Sequence, residues 1–251
     1  MQYRLCHLSL VPVRLEPSDT SELVTQLLYG DCFKIIDERK KWFKIRIAFD
    51  LYEGWIDKKQ AKVISENNYQ EFSTQQLHSA DLVDVITLPS RQALSICLGS
   101  NIAVAGFLDH QFDGQTITNA SNDRNKITET ALMYLNAPYL WGGKSPFGID
   151  CSGFTQMVYK INQHQLYRDA SQQAKQGETL SFIEESKPGD LAFFDNQEGR
   201  IIHVGIILGD NYIIHAHGHV RIDRLDHTGI FNTDARQYSH QLRVIKNLLG
   251  D

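Results

Sequence analysis

The sequence predicts an α+β protein, with small β-barrel structure followed by a domain built from one principal helix and an antiparallel sheet. Three observations predict it. Short alternating segments crowd the first sixty residues, an apolar stripe of helical period begins behind Asp150, and an apolar hairpin pattern runs from Ile201 to Ala216.

The first region is read from its periodicity. Trp42-Phe43-Lys44-Ile45-Arg46-Ile47 alternates apolar and basic side chains, and the charge run Asp37 to Lys41 before it is turn-like. Leu23 to Leu28, Cys32 to Ile36 and Gly54 to Ile56 complete a set of closely spaced strands, giving a small barrel over residues 1–62. Residues 63–125 mix a polar run, Ser65 to Gln76, with apolar pieces at Leu82 to Ile86 and Ile102 to Phe107. They are expected to connect the domains with some β structure, and a second, degenerate barrel is left open.

From Lys126 the pattern changes, opening a domain over residues 126–251. Ile127, Ala131, Tyr134 and Leu135 recur at helical spacing until Asn136-Ala137-Pro138 ends the run. Asp150 is expected to cap a helix whose buried face carries Phe154, Val158 and Ile161. Leu191 to Phe194 reads as a buried strand. Ile201 to Leu208 and Tyr212 to Ala216 read as a hairpin around Gly209-Asp210-Asn211.

Composition narrows the function. The 251 residues carry a net charge of −5, and the 25 Lys and Arg are scattered rather than striped. That argues against nucleic acid as a partner. There is no apolar run of membrane length, and the N-terminus lacks a basic stretch followed by an apolar one, so a cytoplasmic location and no membrane partner are expected. A leader trimmed from the chain stays open. Cys6, Cys32, Cys97 and Cys151 show no paired spacing and are expected to be free thiols. Oligomeric state cannot be read.

Cys151 should occupy the first turn of its helix, where free N–H groups and the positive end of the dipole favour a thiolate and lower its pKa. A buried structural cysteine is the alternative for that residue taken alone. The hairpin then brings His203 and His215 close to opposite one another on neighbouring strands, within imidazole-to-imidazole bonding reach. His203 would take the thiol proton, and His215 would orient it. His215, His217 and His219 with Asp223 offer a competing zinc set, but residues at i, i+2 and i+4 spread too widely on a flat strand. No metal and no cofactor are expected, and His217 and His219 are assigned to the rim or solvent.

Tyr139-Leu140-Trp141-Gly142-Gly143, Asp150-Cys151-Ser152-Gly153-Phe154 and His203-Val204-Gly205-Ile206 together resemble the NlpC/P60 family of papain-like cysteine peptidases, from about Lys126 to the C-terminus. The resemblance implies a nucleophile at Cys151, a base at His203, a third polar residue at His215, and a tyrosine, Tyr139, that helps the Cys151 N–H stabilise an oxyanion. A narrower subgroup joins SH3-like barrels to this domain. Val13-Arg14, Ser21-Glu22-Leu23-Val24, Tyr29-Gly30 and Tyr52-Glu53-Gly54-Trp55-Ile56 are similar to its first barrel. Tyr167-Arg168-Asp169 is similar to its Arg-Asp-Ser signature, with Ala170 in place of the serine.

The subgroup implies hydrolysis of the γ-D-glutamyl–diamino acid bond in murein tripeptides and tetrapeptides bearing a free N-terminal L-alanine, during cell-wall recycling. Asp169 would pair with the ammonium and Trp141 would wall the alanine methyl. Glu22 and Tyr52 from the barrel would close the pocket, and Ser152 and Arg168 complete the substrate-binding set. Asp169 pairing with Arg168, or capping a helix, is the structural alternative. Two rival functions stand beside this one: a non-catalytic wall-binding protein, and a papain-like amidase acting on another acyl bond.

Overall fold

The computed structural model describes residues 2–75, 77–118 and 120–250, and it divides into two compact units. The first unit holds residues 1–119 together with 141–146; the second holds 120–140 and 147–251. The division differs from the expected one. Residues 63–119 belong with the barrel rather than forming a connector, and a six-residue piece of the Tyr139–Gly143 motif region joins the first unit too.

In the first unit, β1 (Gln2–Leu5), β2 (Leu10–Arg14), β3 (Leu23–Leu28), β4 (Cys32–Glu38), β5 (Trp42–Ile47), β6 (Glu53–Asp57) and β7 (Lys62–Ile64) form one antiparallel sheet in the order β3-β2-β6-β5-β4-β1-β7. The alternation read in β5 is real: Phe43, Ile45 and Ile47 are buried while Lys44 and Arg46 point outward. They close on Cys6, Val11, Val13, Leu27, Phe33 and Ile56. Salt bridges from Lys44 and Arg46 to Glu53 line the outer face.

The polar run after β7 is a helix, α1 (Glu66–Thr74), because Ser65 accepts the Asn68 N–H as its N-cap. Gln76, the end of that run, lies outside the described residues. The pieces that follow are β8 (His78–Ser79), the hairpin β9 (Val83–Thr87) with β10 (Ala93–Cys97), 3-10 turns over Ile102–Val104 and Gly106–Leu108, and β11 (Thr116–Ile117). Among the described residues they make two separate two-stranded sheets, so no second barrel closes here. They instead bury Phe72, Ile86, Ile96 and Ile102 against Leu5 and Tyr29, a second apolar core of the first unit. The short β12 (Lys144–Ser145) also belongs to this unit. Just before it, Gly142 has φ +76°, and a Cβ there would lie 2.3 Å from the Leu23 carbonyl oxygen, so the position demands glycine.

In the second unit, α2 (Arg124–Met133) is capped by Asp123, and β13 (Gly148–Ile149) leads into α3 (Cys151–Ile161). All eleven residues of α3 are buried, which makes it the central helix of the unit. After the one-turn α4 (Ala170–Gln173) come β14 (Glu178–Leu180), β15 (Leu191–Asp195), β16 (Ile201–Gly209), β17 (Tyr212–His217), β18 (His219–Leu225), β19 (Gly229–Asn232) and β20 (Gln237–Asn247). The order is β14-β20-β15-β16-β17-β18-β19, and β19 also pairs with β20, so β15 to β20 curl round onto one another. Ala192, Phe194, Ile207, Ile213, Leu225 and Ile230 fill the interior of that curl. No helix among the described residues is long and apolar enough to cross a membrane.

The hairpin register corrects one expectation. His215 faces Gly205, not His203, and a bulge between Ile207 and Gly209 separates this ladder from the Asp210-Asn211 turn, whose residues both have positive φ. The two histidines are therefore diagonal neighbours on one face. Gly205 makes room for this arrangement, since a Cβ there would lie 2.8 Å from Ile213 Cδ1 and 2.9 Å from His215 Cβ. A Cβ cannot swing away as a flexible side-chain tip can. Gly205→Ala is expected to lower stability by about 1–3 kcal/mol through overpacking, read as a lower urea midpoint at unchanged m-value.

Candidate active site

The start of α3 is built on one buried carboxylate. Asp150 Oδ1 accepts the Gly153 N–H at 2.6 Å, supplying the N-cap, and also the Ser152 hydroxyl at 3.3 Å. Arg168, 1% exposed, approaches from the loop before α4 and donates to both oxygens, Nη1 to Oδ1 at 3.0 Å and Nη2 to Oδ2 at 2.5 Å. Its Nη1 also donates to Ser152 Oγ at 2.9 Å. Arg168 and the Ser152 hydroxyl, both assigned above to substrate binding, are buried and hydrogen-bonded to Asp150, because a charge taken out of water needs a partner of matching geometry.

Cys151 is thereby fixed as the first residue of α3, with the backbone N–H groups of Val204 and Ser152 directed at its sulfur. The expectation of a lowered pKa is nevertheless overturned. Burial pushes the thiol up to about 12, and the Asp150 charge adds to the rise. The two N–H groups and Arg168 pull the other way and lose. Cys151 rests as a thiol.

His203 sits one residue before Val204. Burial first, then the neighbouring His215, His240 and His217, hold its pKa well below the usual imidazole value, so it rests neutral. Its Nε2 lies 2.8 Å from His215 Nδ1, with the ring planes at 84°. A neutral imidazole has the protonation state that a general base needs.

Tyr139 is half-buried, and its backbone N–H donates to the Gly218 carbonyl at 2.9 Å. Burial pushes its phenol up to about 12, with the negative charge of Asp150 adding to the rise, so it stays a donor at neutral pH. Asp169 occupies the N-cap position of α4, and its backbone N–H donates to Gln172 Oε1 at 3.1 Å. It is half-buried.

Three assigned residues belong to the first unit. The Trp141 indole N–H donates to Glu22 Oε1 at 2.6 Å, and the ring is 61% exposed. The backbone N–H of Tyr52 donates to Asp50 Oδ1 at 3.0 Å, while its half-buried side chain packs beside the barrel core.

Two residues were not assigned from the sequence. His240, on β20, lays its ring nearly parallel over His203, centroids 4.0 Å apart at 21°. Burial holds its pKa down at about 4. Asp223, considered above only as a metal ligand, has its Oδ2 3.1 Å from His215 Nε2. The register offered a signal for Asp223: His215 faces Arg221 across the β17–β18 ladder, which puts Asp223 diagonal to His215. His240 is far away in sequence and carried none.

Among the described residues, His203, His215 and His240 form the one group whose ligand atoms gather within 4.8 Å of each other. Their geometry does not suit an ion. A metal lies in the plane of each imidazole it binds, and two nearly parallel stacked rings share no such point, while a hydrogen bond joins the third ring to His203. The sequence's own zinc set is broken up as well, with His217 and His219 exposed.

Residues 136–237 match the NlpC/P60 family, and residues 13–60 match the bacterial dipeptidyl-peptidase SH3 domain. Dipeptidyl-peptidase 6 of Lysinibacillus sphaericus is 31% identical over 80% of this chain and 82% of its own length. A γ-D-glutamyl-L-lysine dipeptidyl-peptidase of Bacillus subtilis is 27% identical over 76% of this chain and 71% of its own. The crystal structure of an NlpC/P60 family protein from Bacillus cereus covers 99% of this chain and 100% of its own at 19% identity, with a TM-score of 0.78, which shows a shared fold.

Two outcomes follow from the site. Arg168→Ala strands the Asp150 carboxylate in the interior and is expected to cost about 3–5 kcal/mol in urea unfolding, with Arg168→Lys recovering only part because it lacks the two-pronged fork. The Cys151 thiol, pushed up by burial, should alkylate slowly at neutral pH, with the iodoacetamide rate still climbing above pH 9; a plateau below pH 7 would show a resting thiolate instead.

Proposed function

The chain belongs to the NlpC/P60 family of cysteine peptidases, and we propose that it hydrolyses the γ-D-glutamyl–diamino acid bond of murein peptides whose N-terminal L-alanine is free. The observation that carries the reading is the combination at the start of α3: a thiol bracketed by the Val204 and Ser152 N–H groups, with a neutral, hydrogen-bonded imidazole on the residue before Val204.

The chemistry runs from those protonation states. His203 takes the Cys151 proton as the sulfur attacks the γ-carbonyl carbon, so the ion pair forms only as the bond forms. The developing oxyanion is met by the Tyr139 hydroxyl and the Cys151 N–H, donors that the buried setting makes stronger than they are in water. His203 then gives the proton to the departing amine of the diamino acid, leaving a thioester. Water, activated by the same imidazole, releases the acyl product and restores the thiol. His215 orients His203 throughout.

The bond and the end requirement are supported by the relatives. Those from Bacillus subtilis and Bacillus cereus carry the name γ-D-glutamyl-L-lysine dipeptidyl-peptidase. Removing a dipeptide requires recognition of a free amino end. In this chain Asp169, half-buried at the start of α4, supplies an anion for that ammonium. A pocket that hydrogen-bonds an ammonium rejects an acylated end strongly, because the polar groups are then buried unpaired. Peptides still amidated to muramic acid would be refused and trimmed ones accepted, which fits recycling of wall fragments in the cytoplasm.

Incubation with L-Ala-γ-D-Glu-L-Lys, its meso-diaminopimelate counterpart and the N-acetylated forms, followed by mass spectrometry, tests this directly. Release of L-Ala-D-Glu is expected from the free peptides, with the acetylated forms at least about 10²-fold slower. Cys151→Ala should abolish turnover. Equal cleavage of the acetylated forms would remove the end requirement, and no cleavage of any peptide would remove the substrate.

A further inference from the structure

The two imidazoles continue into a third buried group. His203 on β16, His215 on β17 and Asp223 on β18 lie on three successive strands, each diagonal to the next. The offset repeats because His215 faces Gly205 in one ladder and Arg221 in the other. A continuous hydrogen-bonded row therefore crosses the sheet, 2.8 Å at the first link and 3.1 Å at the second.

Asp223 is clamped from behind. Arg221 Nε donates to Oδ2 at 2.7 Å and Arg221 Nη2 donates to Oδ1 at 2.9 Å, while the Thr233 N–H donates to Oδ1 at 3.3 Å. Arg221 is itself held by Asp234, Nη2 to Oδ2 at 2.8 Å. Both Asp223 oxygens accept from fixed donors, so neither has room for a proton of its own. Burial by itself would raise this carboxyl, yet the His215 and Arg221 hydrogen bonds outweigh it and hold the pKa at about 2.

We infer that Asp223 is a positioning residue that sets the placement of protons along the whole row and so decides which nitrogen of His203 is the base. The logic is one of elimination. An ionised carboxylate only accepts, so His215 must carry its proton on Nε2. His215 Nδ1 is then a lone pair, and His203 Nε2, 2.8 Å away, must donate to it. His203 Nδ1 is left with the free lone pair, and that is the nitrogen that takes the Cys151 proton. When it does, His203 becomes an imidazolium whose charge faces Asp223 through His215, with no further proton transfer required. The inference rests on the reading of His203 as general base. It adds a fourth member to the Cys151, His203 and His215 set.

Nitrogen-15 spectra of the uniformly labelled wild-type protein test the proton placement without any substrate. The expected pattern is a protonated Nε2 on both His203 and His215, with an unprotonated Nδ1 on each. A protonated Nδ1 on either ring overturns the inference. Asp223→Ala removes the acceptor facing His215 Nε2, and mixed or reversed tautomers are expected, with kcat lower by about 10²–10⁴-fold and KM little changed. A variant that keeps the wild-type tautomers and a kcat within about threefold of wild type also overturns it. If the variant does not fold, the wild-type spectrum alone decides. The tautomers stand or fall apart from turnover, so a protein with the expected spectrum that cleaves no γ-D-glutamyl peptide refutes the substrate and leaves Asp223 in place.

Discussion

The pairing of Asp150 with Arg168 is the constraint from which the catalytic unit is organised. One carboxylate ends the preceding strand, caps α3 and neutralises a fully buried guanidinium. Because the cap sets where the helix begins, it also sets where Cys151 stands and which backbone N–H groups reach its sulfur. The same carboxylate adds negative charge beside the thiol. Structural precision at the helix start thus opposes ionisation of the nucleophile, and burial opposes it more. In the proposed mechanism this is met by His203 kept neutral rather than by a preformed ion pair.

The placement of His203 depends on sheet register. A bulge near the Asp210-Asn211 turn and a glycine opposite His215 together produce the diagonal between His203 and His215. Side chains on one face of a sheet meet directly across or one step along the diagonal, and the diagonal leaves space beside each ring. His240 uses that space, stacking on His203 from β20. The curl that brings β20 round to β15 and β19 is what delivers a residue so distant in sequence. The ring of His203 is thereby held by a stack on its face and a hydrogen bond at its edge.

What could be read from the sequence follows how local each feature is. The strand alternation at Trp42 to Ile47, the cap at Asp150 and the turn at Asp210-Asn211 are set by neighbours within a few residues, and each was legible. Cys151, His203 and His215 were singled out through motifs, and the structure joins the two histidines by a hydrogen bond. The motif marks Arg168 only beside Asp169, whereas its partner Asp150 is apparent only once the loop before α4 has folded back onto α3. The pKa of Cys151 was misread because a helix start argues for a thiolate while the extent of burial, invisible in sequence, decides the sign. Residues 63–119 carry weak periodicity because they bury one face against the cluster of Leu5 and Tyr29, and among the described residues they close no barrel of their own.

The segment 141–146 gives the chain an unusual division of labour. Its Trp141 indole leans on Glu22 and its Lys144 backbone N–H donates to Gln26 Oε1 at 2.7 Å, both acceptors in the N-terminal barrel. The polypeptide thus passes between the two units three times rather than once. Cutting at a single linker would leave an indole and an amide of the catalytic fragment without their acceptors, so the halves are not interchangeable cassettes. Whatever exchanges one barrel for another must also rewrite six residues that lie, in sequence, just ahead of the nucleophile.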